Sequence, residues 1–270
     1  MRESEPAASA GDLSGVELGE FCAFAVMAKA PRAGEVKTRL VPPLFPEEAA
    51  ALSAASIQDV VENFLAAGRR VKVRGYVAYS PAGSEALFRE LVPPQIELLP
   101  PRRIGLGHSL LDSTHDLLAA GYGAVCLVNA DSPTLPTAFL VEAADTLRLP
   151  GDRVVLGPAS DGGYYLIGLK SAHRHLFENI DWSTERVTRQ TVERAASLGL
   201  AVATLPLWYD VDDATSLRWL CDEVLFGRRS PLFAGDGYAA PRVARLVRGL
   251  AASEAAMRLG VDRHIDKVAP

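Results

Sequence analysis

Ala124-Val125-Cys126-Leu127-Val128-Asn129-Ala130-Asp131 is the stretch that decides the fold of this chain. An unbroken apolar run of strand length stops abruptly at an amide and a carboxylate. Strict alternation would mark a strand with one wet face. A continuous run marks a strand covered on both faces, which is how parallel sheets are built. Working outward, Phe21 to Ala28 is a second run of this kind, Val71 to Tyr79 alternates in part, and Ile96 to Leu99 is short. Val154 to Leu156, Tyr164 to Leu169 and Ala201 to Leu207 complete the strand-like segments. Helical patterns separate them. One runs from about Pro46 to Ala66 with proline in its first turn. Others carry Leu106, Leu110, Leu117 and Leu118, then Leu140, Ala143, Ala144 and Leu147, then Thr184 to Leu198, then Leu217, Leu220, Cys221 and Val224. This alternation predicts a single α/β domain with a mostly parallel sheet and helices on both faces.

The bulk properties fit one such domain. The 270 residues are 49% hydrophobic and 23% charged, with a formal net charge of -5. That balance gives no general attraction to nucleic acid or to an anionic membrane, so neither is expected as a partner. No apolar run reaches membrane-spanning length. Residues 1–20 are small, polar and acidic, without the basic start and apolar centre of a secretory signal, and read as a disordered leader. Cys22, Cys126 and Cys221 are widely spaced on apolar segments and read as buried, inert thiols of a cytoplasmic protein. Residues 21–226 hold the regular pattern. Residues 227–270 loosen and end in a helix striped by Val243, Leu246, Val247 and Leu250, with Arg242, Arg245 and Arg248 as a basic strip. That strip is either a solvated face or a docking surface for an acidic partner.

Chemistry is concentrated in the loops after the strands, where open α/β sheets bind ligands. The loop after the first strand runs Lys29-Ala30-Pro31-Arg32-Ala33-Gly34-Glu35-Val36-Lys37-Thr38-Arg39. Lys29, Arg32, Lys37 and Arg39 gather positive charge in an acidic chain, Gly34 permits close backbone approach, and the whole suits phosphate oxygens. The Gly-Lys-Thr triplet of a Walker loop is absent. Asp131 stands just past a buried strand, either as a turn carboxylate before Pro133 or as a ligand for a hard divalent cation bridging phosphates. Ser160-Asp161-Gly162-Gly163 is a hairpin signal in which Asp161 could also orient an acceptor or contact a metal. Ser183 or Thr184 is a candidate cap for the following helix, and a helix start is also an anion site. In Trp208-Tyr209-Asp210-Val211-Asp212-Asp213, Asp212 or Asp213 caps the next helix, or Asp212 supplies a second metal carboxylate opposite Asp131.

Taken together, the strings MAKAPRAGEVKTRL (27–40), NADSPTLP (129–136), GPASDGGYYLIGL (157–169), DWST (181–184) and WYDVDD (208–213) resemble a bacterial family of GT-A-like proteins of the arsenosugar-biosynthesis glycosyltransferase type. More distantly, the chain is similar to 2-phospho-L-lactate guanylyltransferase and to the molybdenum-cofactor nucleotidyltransferases. The resemblance implies a nucleotide-diphospho-sugar transferase fold. It also implies a phosphate loop at Lys29, Arg32, Gly34, Lys37 and Arg39. Asp131 and Asp161 would be catalytic, and Mg²⁺ or Mn²⁺ would sit on Asp131 and Asp212. The substrate side would be lined by Gly162, Gly163, Tyr164, Trp182, Ser183 and Thr184. Where such proteins commonly read Asp-Leu-Gly-x-Arg, this chain reads Gly105-Leu106-Gly107-His108-Ser109, losing an acid and an arginine. The expected activity is a metal-dependent glycosyltransferase taking a nucleotide-diphospho-sugar donor and a small-molecule acceptor. The alternatives are a nucleotidyltransferase joining an NTP to a small phosphorylated acid, and a nucleotide-binding protein that has lost its chemistry.

Overall fold

The computed structural model describes residues 17–261. Its strands are β1 (Cys22–Lys29), β2 (Val73–Ser80), β3 (Glu97–Leu99), β4 (Ala124–Asn129), β5 (Arg153–Pro158), β6 (Tyr164–Leu169) and β7 (Ala201–Thr204). They form one seven-stranded sheet in the order β3-β2-β1-β4-β6-β5-β7. β1 pairs in parallel with β2 and β4, β2 with β3, and β5 with β7, while β6 runs antiparallel between β4 and β5. The chain order reverses direction across the sheet between β1 and β4, the kind of switch point beside which a crevice opens.

The helices are α1 (Pro46–Ala67), α2 (Glu85–Leu91), α3 (Leu106–Ala119), α4 (Thr137–Arg148), α5 (Val187–Ser197), α6 (Ala214–Phe226), α7 (Pro241–Ala251) and α8 (Ala255–Leu259). Side chains of β1 alternate between the two layers. Cys22, Phe24 and Val26 join residues of α1, α4, α6 and α7 on one face, while Ala23 and Ala25 join residues of α3 and α5 on the other. Both faces of β4 are filled in the same way, so its continuous apolar run is the expected signature. The three cysteines are free and buried, and burial holds the Cys126 and Cys221 thiols above their ordinary range. They are inert packing groups.

Some expectations need correction. Of the leader, residues 1–16 lie outside the described residues, but Leu18–Glu20 forms a 3₁₀ turn. Leu18 packs on the second core layer, Glu20 pairs with Lys72, and the backbone of Gly123 donates to Phe21 O at 3.2 Å. Leu18 and Glu20 are therefore packed on the folded body, which the composition of residues 1–20 does not suggest. The helix expected from Thr184 starts at Val187, with Arg186 as its uncapped first flank. Thr184 is used in a local turn instead, donating to Asp181 O at 2.7 Å and accepting from Arg186 N at 3.3 Å.

The basic strip of α7 is also reassigned. Arg242 is turned inward, its guanidinium 2.6 Å from Glu62 Oε1, and Arg248 donates to Val224 O at 3.4 Å, leaving Arg245 exposed. Beneath them lies Asp59 of α1, fully buried, which accepts from the backbone N–H of Arg242 at 3.1 Å and of Val243 at 2.8 Å. A carboxylate thus completes the first turn of α7 and docks it on α1. Burial nevertheless pushes the Asp59 carboxyl above its ordinary value, with the two N–H groups and Arg242 opposing that rise. Farther on, Arg258 of α8 forks onto Glu48 at 2.9 and 2.7 Å, lies 4.0 Å from the centre of the Phe45 ring and donates to Pro43 O. The described part of the extension is fastened to α1 and to the segment that follows the basic loop.

Candidate active site

Because six strands run the same way and β6 the other, one edge of the sheet collects the loops after β1, β4, β5 and β7. That edge carries every chemical motif named above, and Trp182-Ser183-Thr184 reaches it through the connection before α5, with Glu185 against Gly162 and Trp182 against Gly107. The loop after β1 turns back on itself. Glu35 N donates to Arg32 O at 3.0 Å, Gly34 has φ +78°, and Lys29 Nζ reaches Glu35 O at 2.8 Å. Lys29 therefore holds the loop's shape, while Arg32 and Arg39 are exposed. A side chain on Gly34 would meet only open space, so the glycine is needed for its backbone angle.

Lys37 behaves differently from its neighbours. Its backbone is left-handed at φ 46°, and its side chain turns inward until only 4% is exposed. There its ammonium pairs with Asp131, donates to Val211 O at 2.8 Å and lies 3.5 Å from Asp212 Oδ1. Asp212 Oδ2 also accepts from Arg39 at 2.6 Å. The two carboxylates come from distant parts of the chain and are brought together by Val211 N, which donates to Asp131 O at 2.8 Å. Asp213, the neighbouring acid, is spent on capping α6, accepting from Thr215 N at 2.9 Å and Ser216 N at 2.8 Å. Of the two readings of this acidic run, capping thus falls to Asp213, and Asp212 faces the cluster.

Asp210 also enters the cluster, and the sequence reading passed over it. It is 9% exposed, and its carboxyl is pushed up to about 7 by burial and then by the nearby Asp161, Asp212 and Asp131. The signal was present. In an extended segment, residues two apart share a side, so Asp210 and Asp212 project together. Burial and Asp131 also raise the Asp212 carboxyl, against the opposing pull of Lys37 and Arg39. Burial disfavours the charge of Lys37, but Asp131 and Asp212 outweigh it and hold the ammonium above its ordinary value.

The β5–β6 hairpin supplies Asp161, which is exposed and accepts from Gly163 N at 2.8 Å. Gly162 has φ +89°, and a side chain there would strike the backbone of Glu185. The close approach it permits is thus filled by the chain itself. Thr188 fixes the same turn by donating from its N–H to Gly162 O at 3.0 Å and from its hydroxyl to Gly163 O at 2.5 Å. Tyr164 points away from the edge, its hydroxyl buried beside Thr191 of α5. Trp182 is half-buried against the first turn of α3, where a Cβ on Gly107 would stand 2.7 Å from its Nε1. Ser183 is exposed, with φ 63°.

Two clefts flank this edge. The larger, about 690 Å³, lies over the ends of β1, β2 and β3 and is lined by Lys29, Tyr79, Ser80, Leu99, Ser109 and Asp116 among others. The second, about 610 Å³, includes His108, Phe177 and Trp182, and the segment Arg103 to Leu106 borders both. The altered segment thus forms a ridge between two clefts. His108 is exposed on that ridge, 3.1 Å from Ile104 O.

As a cation site, the cluster offers only oxygen donors, which suits Mg²⁺ or Mn²⁺. Asp131, Asp161, Asp210 and Asp212 outnumber Lys37 and Arg39, so further positive charge would relieve the repulsion that raises Asp210. Among the described residues, no three His, Cys, Asp or Glu side chains are already disposed around one metal position. Asp131 and Asp212 are nevertheless held around a shared cation, the ammonium of Lys37. A pair of carboxylates is enough for a cation that takes its remaining ligands from water and phosphate.

The profile of a bacterial family described as "Uncharacterized protein conserved in bacteria (DUF2064)" matches residues 64–184. No curated protein matches the sequence. A crystal structure from Desulfovibrio desulfuricans G20, assigned on provisional grounds to the nucleotide-diphospho-sugar transferases, is 29% identical with a TM-score of 0.70. The match covers 84% of this chain and 97% of that one. Glucosyl-3-phosphoglycerate synthase from Mycobacterium tuberculosis, solved with Mn²⁺, uridine diphosphate and glucosyl-3-phosphoglycerate, is 14% identical with a TM-score of 0.46, covering 97% of this chain and 88% of its own. A cytidylyltransferase from Leptospira borgpetersenii is 11% identical with a TM-score of 0.46, covering 85% and 93%. On the Desulfovibrio structure, the chain carries the nucleotide-diphospho-sugar transferase fold expected from its motifs.

Proposed function

We propose that this protein is a metal-dependent glycosyltransferase that takes a nucleotide-diphospho-sugar donor and passes the sugar to a small-molecule acceptor. The observation that carries this reading is one convergence. A basic loop and the Asp131–Asp212 pair meet at one sheet edge, and a cleft of about 690 Å³ opens over the ends of β1, β2 and β3 on the same edge. The cleft is large enough for a base and ribose, and the diphosphate would then extend across the end of β1 toward Arg32, Lys37 and Arg39. Mg²⁺ or Mn²⁺ on Asp131 and Asp212 would neutralise charge on the leaving diphosphate. Arg32 and Arg39, exposed beside the pair, would add donors to the same oxygens. In the transfer, the bond from the sugar anomeric carbon to the β-phosphate oxygen breaks, its electron pair leaving with the nucleoside diphosphate, while a bond from that carbon to the acceptor oxygen forms and the acceptor's hydroxyl proton is released to solvent. Asp161, exposed at the tip of a turn fixed by Thr188, would orient the acceptor hydroxyl. Gly163 and Trp182 of the second cleft would border that side. With three free buried cysteines, the reducing cytoplasm is the proposed setting.

The test is a panel of nucleotide-sugars, NTPs and nucleoside diphosphates, each with and without Mg²⁺ or Mn²⁺, followed by melting temperature. A metal-dependent shift with one nucleotide-sugar, and release of the nucleoside diphosphate on adding acceptor, is the expected result. Release of pyrophosphate from an NTP would move the assignment to a nucleotidyltransferase. No shift with any compound would overturn the reading. Asp131→Ala is expected to lower turnover a hundredfold or more, about 2.7–4 kcal/mol of barrier, with an unchanged circular dichroism spectrum. Near-normal turnover in that variant would remove Asp131 from the mechanism.

A further inference from the structure

The position of Lys37 bears on the order in which ligands enter, an inference that rests on reading Asp131 and Asp212 as the metal-binding pair. A phosphate-binding lysine would be expected to project into solvent, as Arg32 and Arg39 do from the same loop. Lys37 instead has its side chain 4% exposed, with its ammonium among three oxygens: Asp131 Oδ1, Asp212 Oδ1 at 3.5 Å and Val211 O at 2.8 Å. Two carboxylates and a carbonyl are the donor types that a hard divalent cation takes. The left-handed backbone at φ 46°, unusual for a residue with a side chain, is part of what directs Lys37 inward.

We infer that Lys37 is a built-in counter-ion that holds the cation position shared by Asp131 and Asp212, excluding free Mg²⁺ or Mn²⁺ until a nucleoside diphosphate arrives. A divalent cation on the same pair would lie within a few ångströms of the ammonium, and like charges so close in a half-buried site repel strongly. Lys37 must therefore move as the metal enters. A buried ammonium stripped of its partners is costly, so it moves only if new oxygens receive it. Phosphate oxygens at the mouth of the basic loop are such partners. Metal and nucleotide then enter together, and each strengthens the other's binding by the same factor, as linkage requires. Arg39, already on Asp212 Oδ2 at 2.6 Å, is placed to follow the phosphate when Asp212 takes the metal. The nucleotide-free protein thereby keeps its acidic cluster from scavenging metal.

The experiment is a titration of the full chain with Mn²⁺, reading free Mn²⁺ by its electron paramagnetic resonance signal. It is run alone and with ADP, GDP, UDP or CDP, after correction for Mn²⁺–nucleotide complexes in buffer. Wild type is expected to bind Mn²⁺ weakly alone and at least tenfold more tightly with one of the diphosphates. Lys37→Met and Lys37→Gln are expected to bind Mn²⁺ alone at least tenfold more tightly than wild type, with the nucleotide adding less. Circular dichroism checks that the variants fold, and should neither fold, the wild-type coupling alone decides. Tight binding of Mn²⁺ by nucleotide-free wild type, no gain in the folded Lys37 variants, or no coupling in wild type overturns the counter-ion role while leaving the metal site standing. No Mn²⁺ binding by any form with any diphosphate overturns the metal site itself and the inference with it.

Discussion

Asp210 makes the ionisation of the site visible in the stability of the whole protein. Its carboxyl rises from 3.8 to about 7, because burial and then Asp161, Asp212 and Asp131 penalise its charge. At 1.36 kcal/mol per pKa unit, that rise corresponds to about 4 kcal/mol, an upper figure because the neighbouring carboxylates share it. The folded state binds this proton more tightly than the unfolded state. The contribution is therefore whole below pH 3.8, falls as pH rises, and is gone once pH passes about 7. Carboxylates held below their ordinary range, such as Glu48, Glu62 and Asp112, act in the opposite sense but at lower pH. The window from about pH 5 to 7 thus isolates the raised groups, with a slope approaching 1.4 kcal/mol per pH unit from Asp210. Asp210→Asn keeps the shape and removes the charge. In EDTA, urea unfolding at successive pH values should show wild type losing stability across this window. The variant should be flatter and, at pH 8, more stable than wild type. An equal slope in both proteins would refute the placement of Asp210 in the cluster.

Three further substitutions probe the scaffold. Asp59→Ala leaves the N–H groups of Arg242 and Val243 without their acceptor and should cost about 3–5 kcal/mol, with faster hydrogen exchange throughout α7. Unchanged exchange in α7 would show that its apolar face alone docks it. Gly162→Ala forces a side chain into a left-handed position and against the backbone of Glu185, and should lower stability by about 3 kcal/mol in a denaturant melt. Gly107→Ala places a methyl 2.7 Å from Trp182 Nε1. It should shift the emission of Trp182, read in a protein whose other tryptophans are replaced by phenylalanine, and an unshifted spectrum would mean that the indole does not pack there.

The parts of the fold legible in the sequence were those in which burial dictates composition. β1 and β4 are covered on both faces and hold continuous apolar runs, and α3 and α4 carry spaced leucines. α2 escaped notice because Phe88 is its one buried residue, too little to make a stripe. α8 escaped for its brevity. The antiparallel course of β6 could be read as a hairpin, but not its insertion between β4 and β5, which depends on pairing between distant segments. In the candidate site, the basic loop, Asp131 and Asp212 were legible because strand ends concentrate chemistry. Which cation turns inward was not. Lys29, Arg32, Lys37 and Arg39 look alike in sequence, and a single left-handed residue separates Lys37 from the rest. Asp210 was obscured by its own neighbours, since an acidic run before a helix reads first as capping.

The mixed direction of the sheet has a practical corollary for altering the molecule. Six strands end, and β6 begins, at the edge that carries the acidic cluster, so the opposite edge contributes none of its carboxylates or bases. The connections at that far edge include Pro150-Gly151-Asp152 and Leu198-Gly199-Leu200. The two margins of the sheet thus have separate histories open to them. Loops at the near margin are confined by the ions they position, whereas at the far margin Pro150-Gly151-Asp152 is held by Lys170, His173 and Arg153, and Leu198-Gly199-Leu200 by backbone bonds to the end of α5. A dye, a tether or an inserted peptide belongs at Gly199, where an added group meets open space, lengthening a turn costs little and the reactive margin is left untouched.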